Sequence, residues 1–166
     1  MRNKKHKQPV IVGGVQVLEM VAEGKSLAKL GEKVVFMEGA VPGDVVKVSI
    51  EKDKKTYYEA SVQEIEQAST LRKDPFCSHF GVCGGCKWQN LDYATQLHYK
   101  EKQVKDALER IGKTNIGTMH PILGAPETTF YRNKLEYTFS NRKWLTSLDM
   151  EQREQSMNAL GFHIPK

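Results

Sequence analysis

All three cysteines of this 166-residue chain lie in one short run, Cys77-Ser-His-Phe-Gly-Val-Cys83-Gly-Gly-Cys86. Two glycines separate Cys83 from Cys86, and they let the backbone turn tightly enough for both thiolates to reach one metal centre. Cys77 lies upstream and supplies a second arm. This spacing predicts a metal or cluster site, and an odd number of cysteines argues against a secreted disulfide framework.

A missing ligand complicates this prediction. A structural zinc ion or an iron-sulfur cluster normally takes four protein ligands, and three cysteines leave one position vacant. The residues allow three solutions: His79 in a Cys3His zinc site, a small exogenous ligand, or a fourth cysteine that this sequence does not contain. A disulfide between Cys83 and Cys86 is a further alternative.

The charge of the chain favours a polyanionic partner. The formal net charge is +5 and the sequence pI is about 9.0, which suits nucleic acid. Four of the basic residues lie in the arm formed by residues 1–8, which we expect to be flexible. Because the segment after this arm is slightly acidic, any nucleic-acid contact there must come from a local patch.

The hydropathy pattern excludes a membrane protein. No apolar run approaches the roughly 20 residues of a membrane span, and the charged N-terminus has no apolar core behind it. We therefore expect a cytoplasmic protein.

Residues 9–66 have the pattern of a small all-β domain. Apolar and β-branched residues alternate with polar ones, and glycines and Pro42-Gly43 separate the runs. Four or five short strands of this kind predict a closed, OB-like barrel, and such barrels often bind nucleic acid. The runs are Val15–Val21, Lys33–Met37, Asp44–Ile50 and Thr56–Ile65.

The stretch from Lys52 to Tyr58 is predicted to form a hairpin tip of this barrel. Lys52, Lys54 and Lys55 would contact phosphate, and Tyr57 or Tyr58 would stack on a base. The alternative is an ordinary solvated turn with tyrosines on a strand face.

Residues 67–91 are predicted to form a linker and the cysteine segment. Trp88 follows the cysteines and is suited to cover a cluster or the edge of a core. Asp92 is the predicted N-cap of a helix that ends near Ile111, before Gly112. One face of this helix is apolar, and we expect it to pack against the rest of the chain. It consists of Tyr93, Leu97, Val104, Leu108 and Ile111.

Residues 92–166 combine this helix with the start of a second β-rich domain. Tyr131–Phe139 alternates, with Leu135, Tyr137 and Phe139 on one face, and Ala159–Ile164 is the next predicted strand. Two strands do not close a core, so we expect a chain that is truncated inside a domain. The overall prediction is an α+β protein, mainly β.

These segments together resemble a known family. Residues 15–65 resemble a TRAM domain, a small OB-like RNA-binding barrel, in the stretch Val34–Asp44 and in Lys54-Lys55-x-Tyr57. Cys77-x5-Cys83-Gly-Gly-Cys86-x-x-Gln89 and the following helix resemble the cluster region of the RNA (uracil-5-)-methyltransferases that act on 23S ribosomal RNA. Tyr131-Arg-Asn-Lys and Leu160-Gly-Phe-His163 resemble the start of that family's central domain.

The resemblance implies roles for these residues. Cys77, Cys83 and Cys86 would bind a 4Fe-4S cluster whose fourth cysteine lies beyond position 166. Methyl transfer from S-adenosylmethionine to C5 of a uridine would belong to a C-terminal domain outside the chain, so no residue here is assigned to catalysis and the fragment alone would be inactive. We expect a monomer that binds 23S rRNA, with Arg132 and Lys134 as further RNA contacts. The alternative hypothesis is a stand-alone, zinc-stabilised RNA-binding adaptor.

Overall fold

The computed structural model describes residues 9–144 and 157–163, so the predicted basic arm at residues 1–8 lies outside the described part. The chain divides into two compact units. The first comprises the described residues up to Asp74 together with Trp88–Gly124, and the second comprises Pro75–Lys87 and the described residues from Ala125 onward. The sequence grouped the helix with residues 92–166, whereas in the structure it belongs with the barrel unit. The predicted domain boundaries themselves remain a prediction.

Five strands of the first unit form a closed barrel in the order β1-β2-β3-β5-β4. The β3 and β5 strands pair in parallel, and the other neighbours pair antiparallel. This confirms the predicted OB-like barrel and the mainly β fold class. The strands are β1 Val10–Met20, β2 Ser26–Leu30, β3 Lys33–Met37, β4 Val45–Asp53 and β5 Tyr57–Gln67, with a single 3-10 turn at Ala22–Gly24.

The barrel core follows from the alternation in these strands. Val35 and Met37 of β3 and Val46 and Val48 of β4 are each at most 1% exposed. Fully burying one such side chain stabilises the fold by about 1.5–3 kcal/mol. Successive residues of a strand point to opposite faces, so Val34 and Phe36, which alternate with Val35 and Met37 in β3, lie on the outer surface.

The β1 strand begins earlier than the sequence predicted, at Val10 instead of Val15. The pairing register with β4 shifts between Val12 and Val15, where Gly14 has a φ of +69°. The Gly14 amide donates to the Glu66 carboxylate at 2.7 Å. A glycine bulge thus lets one strand continue where the apolar alternation is interrupted.

The predicted helix is present as α1, Tyr93–Asp106, and continues into a π-helical turn at Ala107–Ile111. Asp92 is the N-cap, and its carboxylate accepts from the Thr95 amide at 2.9 Å. At the other end the Gly112 amide donates to the Ala107 carbonyl at 2.9 Å. Both predicted ends are confirmed, although the last turn is wider than an α-helix.

The predicted packing stripe of this helix is wrong in its C-terminal half. Val104, Leu108 and Ile111 are 53%, 43% and 83% exposed among the described residues. The helix contacts the barrel through Tyr99, which packs on a small cluster formed by Met20, Val41, Leu91 and Trp88. The Lys102 ammonium adds an ion pair to Glu19 of β1 at 2.8 Å. Helical spacing identified an apolar face but not the neighbour that covers it.

The second unit contains a two-stranded antiparallel sheet of β6, Thr138–Ser140, and β7, Ala159–Gly161. Both strands are shorter than predicted: only the end of the run Tyr131–Phe139 is in β6, and Ile164 lies outside the described residues. Across all described residues, no helix is long and apolar enough to cross a membrane.

Candidate functional site

The β4–β5 hairpin brings four predicted RNA-binding residues together. Lys52 lies near the end of β4, Lys54 and Lys55 lie in the tip, and Tyr57 begins β5. The Lys54 amide donates to the Tyr57 carbonyl at 2.9 Å, which closes the turn. The three lysines are exposed and Tyr57 is half-buried.

Lys52 is not a bare cation in this hairpin. Its ammonium lies 2.6 Å from the Glu59 carboxylate, directly across the strand pair. The hydrogen bond to Glu59 raises the pKa of Lys52, and the same hydrogen bond lowers the pKa of Glu59. Any phosphate that reaches Lys52 must therefore compete with this carboxylate.

Tyr57 has an aromatic neighbour that the sequence analysis did not single out. The ring of Phe36 on β3 meets the ring of Tyr57 edge to face, with 5.6 Å between centroids. Both side chains lie on the outer surface, because Val35, Met37 and Ala60 fill the interior positions next to them. The sequence contained a signal for Phe36, because this aromatic residue occupies a solvent-facing position in the alternating run Lys33–Met37.

Tyr58 has a different environment from Tyr57. It packs against the barrel core, and the Lys33 ammonium lies 4.5 Å from the centre of its ring. Lys33 also donates to the Asp53 carboxylate and, at 2.8 Å, to the Lys54 carbonyl. Of the two tyrosines, Tyr57 is therefore the one placed to stack on a ligand.

The other predicted RNA contacts, Arg132 and Lys134, lie in the second unit. The Arg132 guanidinium donates to the Lys134 carbonyl at 3.1 Å. The Lys134 ammonium lies 3.3 Å from the Glu136 carboxylate, and both of these side chains are more than four-fifths exposed. Their role stays a prediction.

The cysteine segment folds as a series of tight turns. The Phe80 amide donates to the Cys77 carbonyl at 3.1 Å, and the Cys83 amide donates to the His79 carbonyl at 3.0 Å. The Gly84 amide donates to the His163 carbonyl at 3.0 Å, which joins the segment to the chain beyond β7. These turns hold Cys77 and Cys83 half-buried and leave Cys86 exposed.

Gly85 is placed between a sulfur atom and an aromatic ring. Its amide donates to the Cys83 sulfur at 3.4 Å. A Cβ at this position would lie 3.1 Å from the Phe162 ring, closer than almost all real contacts. Only glycine fits this place without a shift, and an amide that donates to sulfur is a feature that tunes thiolate ligands.

The donor chemistry of the segment fits a metal or an iron-sulfur cluster, since three thiols not joined by disulfides lie in one short run with an N–H···S bond. The three thiols are, however, not arranged as a metal site. Within the described ranges, no group of three or more His, Cys, Asp or Glu side chains is placed to hold a metal ion. The His79 ring meets the Trp144 ring edge to face, with 6.4 Å between centroids.

Comparison with known proteins identifies the barrel. The family described as the TRAM domain matches residues 4–62, which include most of the five strands. The chain carries a TRAM domain.

Curated relatives extend the similarity beyond the TRAM domain. A protein of Bacteroides thetaiotaomicron named as an uncharacterized RNA methyltransferase is 52% identical over 88% of this chain and 33% of its own length. A protein of Porphyromonas gingivalis with the same name is 44% identical over 91% of this chain and 34% of its own length. A protein of Azoarcus sp. named 23S rRNA (uracil(1939)-C(5))-methyltransferase RlmD is 40% identical over 68% of this chain and 26% of its own length.

These matches confirm the resemblance that the sequence indicated. The chain corresponds to the N-terminal part of proteins named as RNA methyltransferases and spans about a third of the length of the first two relatives. The matched TRAM region contains Phe36, Lys52, Lys54, Lys55 and Tyr57, whereas the three cysteines lie after it.

A buried ion pair joins the turn before β4 to Arg72, which lies in the same unit. The Asp44 carboxylate is fully buried and accepts from the guanidinium of Arg72, which follows the last barrel strand. Two amides, those of Val41 and Ser69, donate to the same carboxylate at 2.8 Å each. Burial raises the pKa of Asp44, but the hydrogen bonds from Arg72, Ser69 and Val41 outweigh it and hold this pKa below its usual value.

The chain leaves and re-enters the TRAM unit at one point. Arg72 and Leu91 form an isolated antiparallel bridge, and the Lys73 amide donates to the Asn90 carbonyl at 3.0 Å. The Asn90 amide group donates to the Gly39 carbonyl at 3.2 Å, and Arg72 donates to the same carbonyl at 3.1 Å. The Gly39–Asp44 turn thus holds Arg72 and Asn90, which belong to the same unit, and sequence reasoning did not predict these contacts.

Proposed function

We propose that this chain is the RNA-binding N-terminal portion of an S-adenosylmethionine-dependent RNA (uracil-C5) methyltransferase that acts on 23S ribosomal RNA. The observation that carries the proposal is a TRAM barrel with a basic, tyrosine-bearing hairpin in a chain similar to proteins named as RNA methyltransferases. S-adenosylmethionine and the reacting uridine would be bound by parts of the protein outside this chain. This N-terminal portion would recruit and orient the RNA.

The physical basis for recruitment is the exposed cationic tip of the hairpin. Lys54 and Lys55 extend from a closed turn and carry positive charge on a surface that is otherwise mixed in sign. Lysines that neutralise phosphates release condensed counterions, so RNA affinity should fall steeply as salt rises. We expect a cytoplasmic protein, because its proposed substrate is ribosomal RNA, and that it acts as a monomer stays a prediction.

Fluorescence anisotropy with a labelled 23S rRNA fragment over a salt series tests recruitment. The Lys54→Ala/Lys55→Ala double variant should bind more weakly at every salt concentration. Its log–log salt slope should be shallower by about 1.4, since each contact to a single strand contributes about 0.7. Lys47→Ala is the matched control, because Lys47 is a barrel lysine already paired with Glu64 at 2.7 Å. Absent binding, or binding insensitive to salt, would contradict the proposed function.

We further propose that Cys77, Cys83 and Cys86 are three ligands of a 4Fe-4S cluster whose fourth cysteine lies outside this chain. The support is the thiol content of the segment and the amide that donates to the Cys83 sulfur. In this proposal, cluster binding draws together three thiols that the segment alone does not group. The cluster would hold the polypeptide in shape for RNA recognition and would take no part in methyl transfer.

Anaerobic reconstitution of the full-length parent with iron and sulfide tests the cluster. Brown charge-transfer absorption that each of the three Cys→Ser variants diminishes would support the proposal. Stoichiometric zinc after purification, lost in a His79→Ala variant, would contradict it and favour the zinc-stabilised adaptor instead.

A further inference from the structure

The outer surface of β3 and β5 carries an aromatic pair, Phe36 and Tyr57, with lysine side chains nearby. Phe36 and Tyr57 point outward from neighbouring strands, and both are half-buried, so part of each ring remains accessible. Leu27 of β2 lies directly across from Phe36 and continues the apolar strip. The aromatic patch, defined as Phe36 and Tyr57, makes no contribution to the barrel core.

Three lysines lie around one carboxylate beside this patch. Glu59 is opposite Phe36 in the β3–β5 register. Its pKa is lowered first by the hydrogen bond from Lys52 and then by the charges of Lys52, Lys25 and Lys54. These lysines lie next to two aromatic rings, with Lys25 paired to Glu23 at 3.2 Å and Lys52 paired to Glu59 at 2.6 Å.

This combination matches the chemistry of single-stranded nucleic acid. Aromatic side chains stack on bases whose faces are accessible, while neighbouring lysines neutralise the backbone. A duplex hides its base faces and offers phosphates, 2′-hydroxyls and base edges instead. Charge and aromatic surface together therefore favour an unpaired nucleotide over a helical stem.

Without a ligand, the Glu59 carboxylate balances the charge of Lys52. The Lys52 and Glu59 side chains are 59% and 34% exposed, and an exposed ion pair contributes little to stability. A phosphate carries the same charge as the Glu59 carboxylate and offers comparable oxygen acceptors. Exchange of one anion for the other therefore costs little.

We propose that Phe36 and Tyr57 form a stacking subsite for one base of single-stranded RNA, and that the adjacent phosphate displaces Glu59 from Lys52. The inference rests on the proposed RNA-binding function and deepens it by naming the structural class of the RNA. It also assigns Glu59 a role: its carboxylate competes with the ligand.

The aromatic half of the proposal is tested with two RNA probes, an unstructured oligonucleotide rich in uridine and a blunt duplex of equal length. Phe36→Leu and Tyr57→Leu should each weaken binding of the single strand about tenfold, as expected for loss of one stacked base, and leave duplex binding unchanged. Tyr57→Phe is the matched control, because it keeps the ring and should keep the affinity. Thermal unfolding of each variant should match the parent chain, which separates a lost contact from a lost fold.

The exchange half is tested with Glu59→Gln. This variant should bind the single strand more tightly, because the phosphate no longer has to displace a carboxylate from Lys52, and its salt slope should match that of the parent chain, since the number of phosphate contacts is the same. Glu64→Gln is the control, since it removes the partner of Lys47 and should change neither quantity.

The outcomes separate the inference from the function on which it rests. If the parent chain binds RNA in a salt-dependent manner but the leucine variants bind single strands as well as it does, the stacking subsite is wrong and the proposed function stands. Unchanged or weaker binding by Glu59→Gln would refute the exchange. Failure of the parent chain to bind either probe overturns both proposals.

Discussion

The Asp44 carboxylate, in the turn before β4, forms an ion pair with the guanidinium of Arg72, which follows β5. Asp44 is 0% exposed, and the Arg72 side chain is 21% exposed. The Nε of Arg72 also donates to this carboxylate, at 3.3 Å. Because Arg72 bridges to Leu91, the pair also helps to position Leu91 within the same unit.

Substitution of Asp44 by Asn should destabilise the TRAM unit by about 3 kcal/mol, because it leaves the partly buried Arg72 guanidinium without its counter-charge. Urea unfolding followed by far-UV circular dichroism measures the change. Glu64→Gln is the control, since it removes an exposed ion pair on the same barrel and should leave the midpoint almost unchanged. Equal midpoints for the two variants would show that the Asp44–Arg72 pair does not stabilise the fold.

Stability should also depend on pH through Asp44. The pKa of this carboxyl is lower in the folded chain than its usual value of 3.8. A group of this kind adds stability above its unfolded-state pKa, and that stability is lost as the pH falls through the folded-state pKa. Urea midpoints should therefore fall below about pH 4. Asp44→Asn should lose less stability over this range than the parent chain, and parallel curves would contradict the assignment.

The N-cap of α1 offers a separate test. Asp92→Ala removes the acceptor of the Thr95 amide and should cost about 1 kcal/mol. Asp92→Ser keeps a capping oxygen and should retain most of the stability. Thermal unfolding monitored by helical circular dichroism distinguishes the two, and equal losses in both variants would show that the carboxylate acts by some means other than capping.

Gly85 should not tolerate a side chain. An alanine Cβ would approach the Phe162 ring to 3.1 Å and disturb the amide that donates to the Cys83 sulfur. Gly85→Ala should destabilise the second unit by about 1 kcal/mol and speed the labelling of Cys83 by a thiol reagent. Gly117→Ala is the control, because nothing lies within 4 Å of its added Cβ. Labelling at the parent rate would contradict the close packing.

The local features of this chain were predictable because they depend on neighbours in sequence. Alternation identified the strands that bury Val35 and Val46, and Asp92 marked the start of the helix. The β2 strand at Ser26–Leu30 is short and is one strand that the apolar runs did not delimit. Pairing with β3 forms this strand, although its own alternation is too short to delimit it.

Features that depend on distant residues were missed. The pairing of β3 with β5 brings Phe36 to Tyr57, and no spacing in the sequence records it. The same holds for Asp44 and Arg72, whose hydrogen bonds join residues 28 positions apart. The helix stripe failed for a related reason, since periodicity places Val104 and Leu108 on one face but does not supply a surface to cover them.

The sequence by itself determined the barrel class, the helix start and the short run that holds every cysteine, because hydrophobic period, capping and ligand spacing are local properties. Only the tertiary structure decided that Tyr57 rather than Tyr58 faces outward beside Phe36, that Lys52 is held by Glu59, and that the buried Asp44 carboxylate holds Arg72. These are contacts between strands and turns that come together only when the barrel closes.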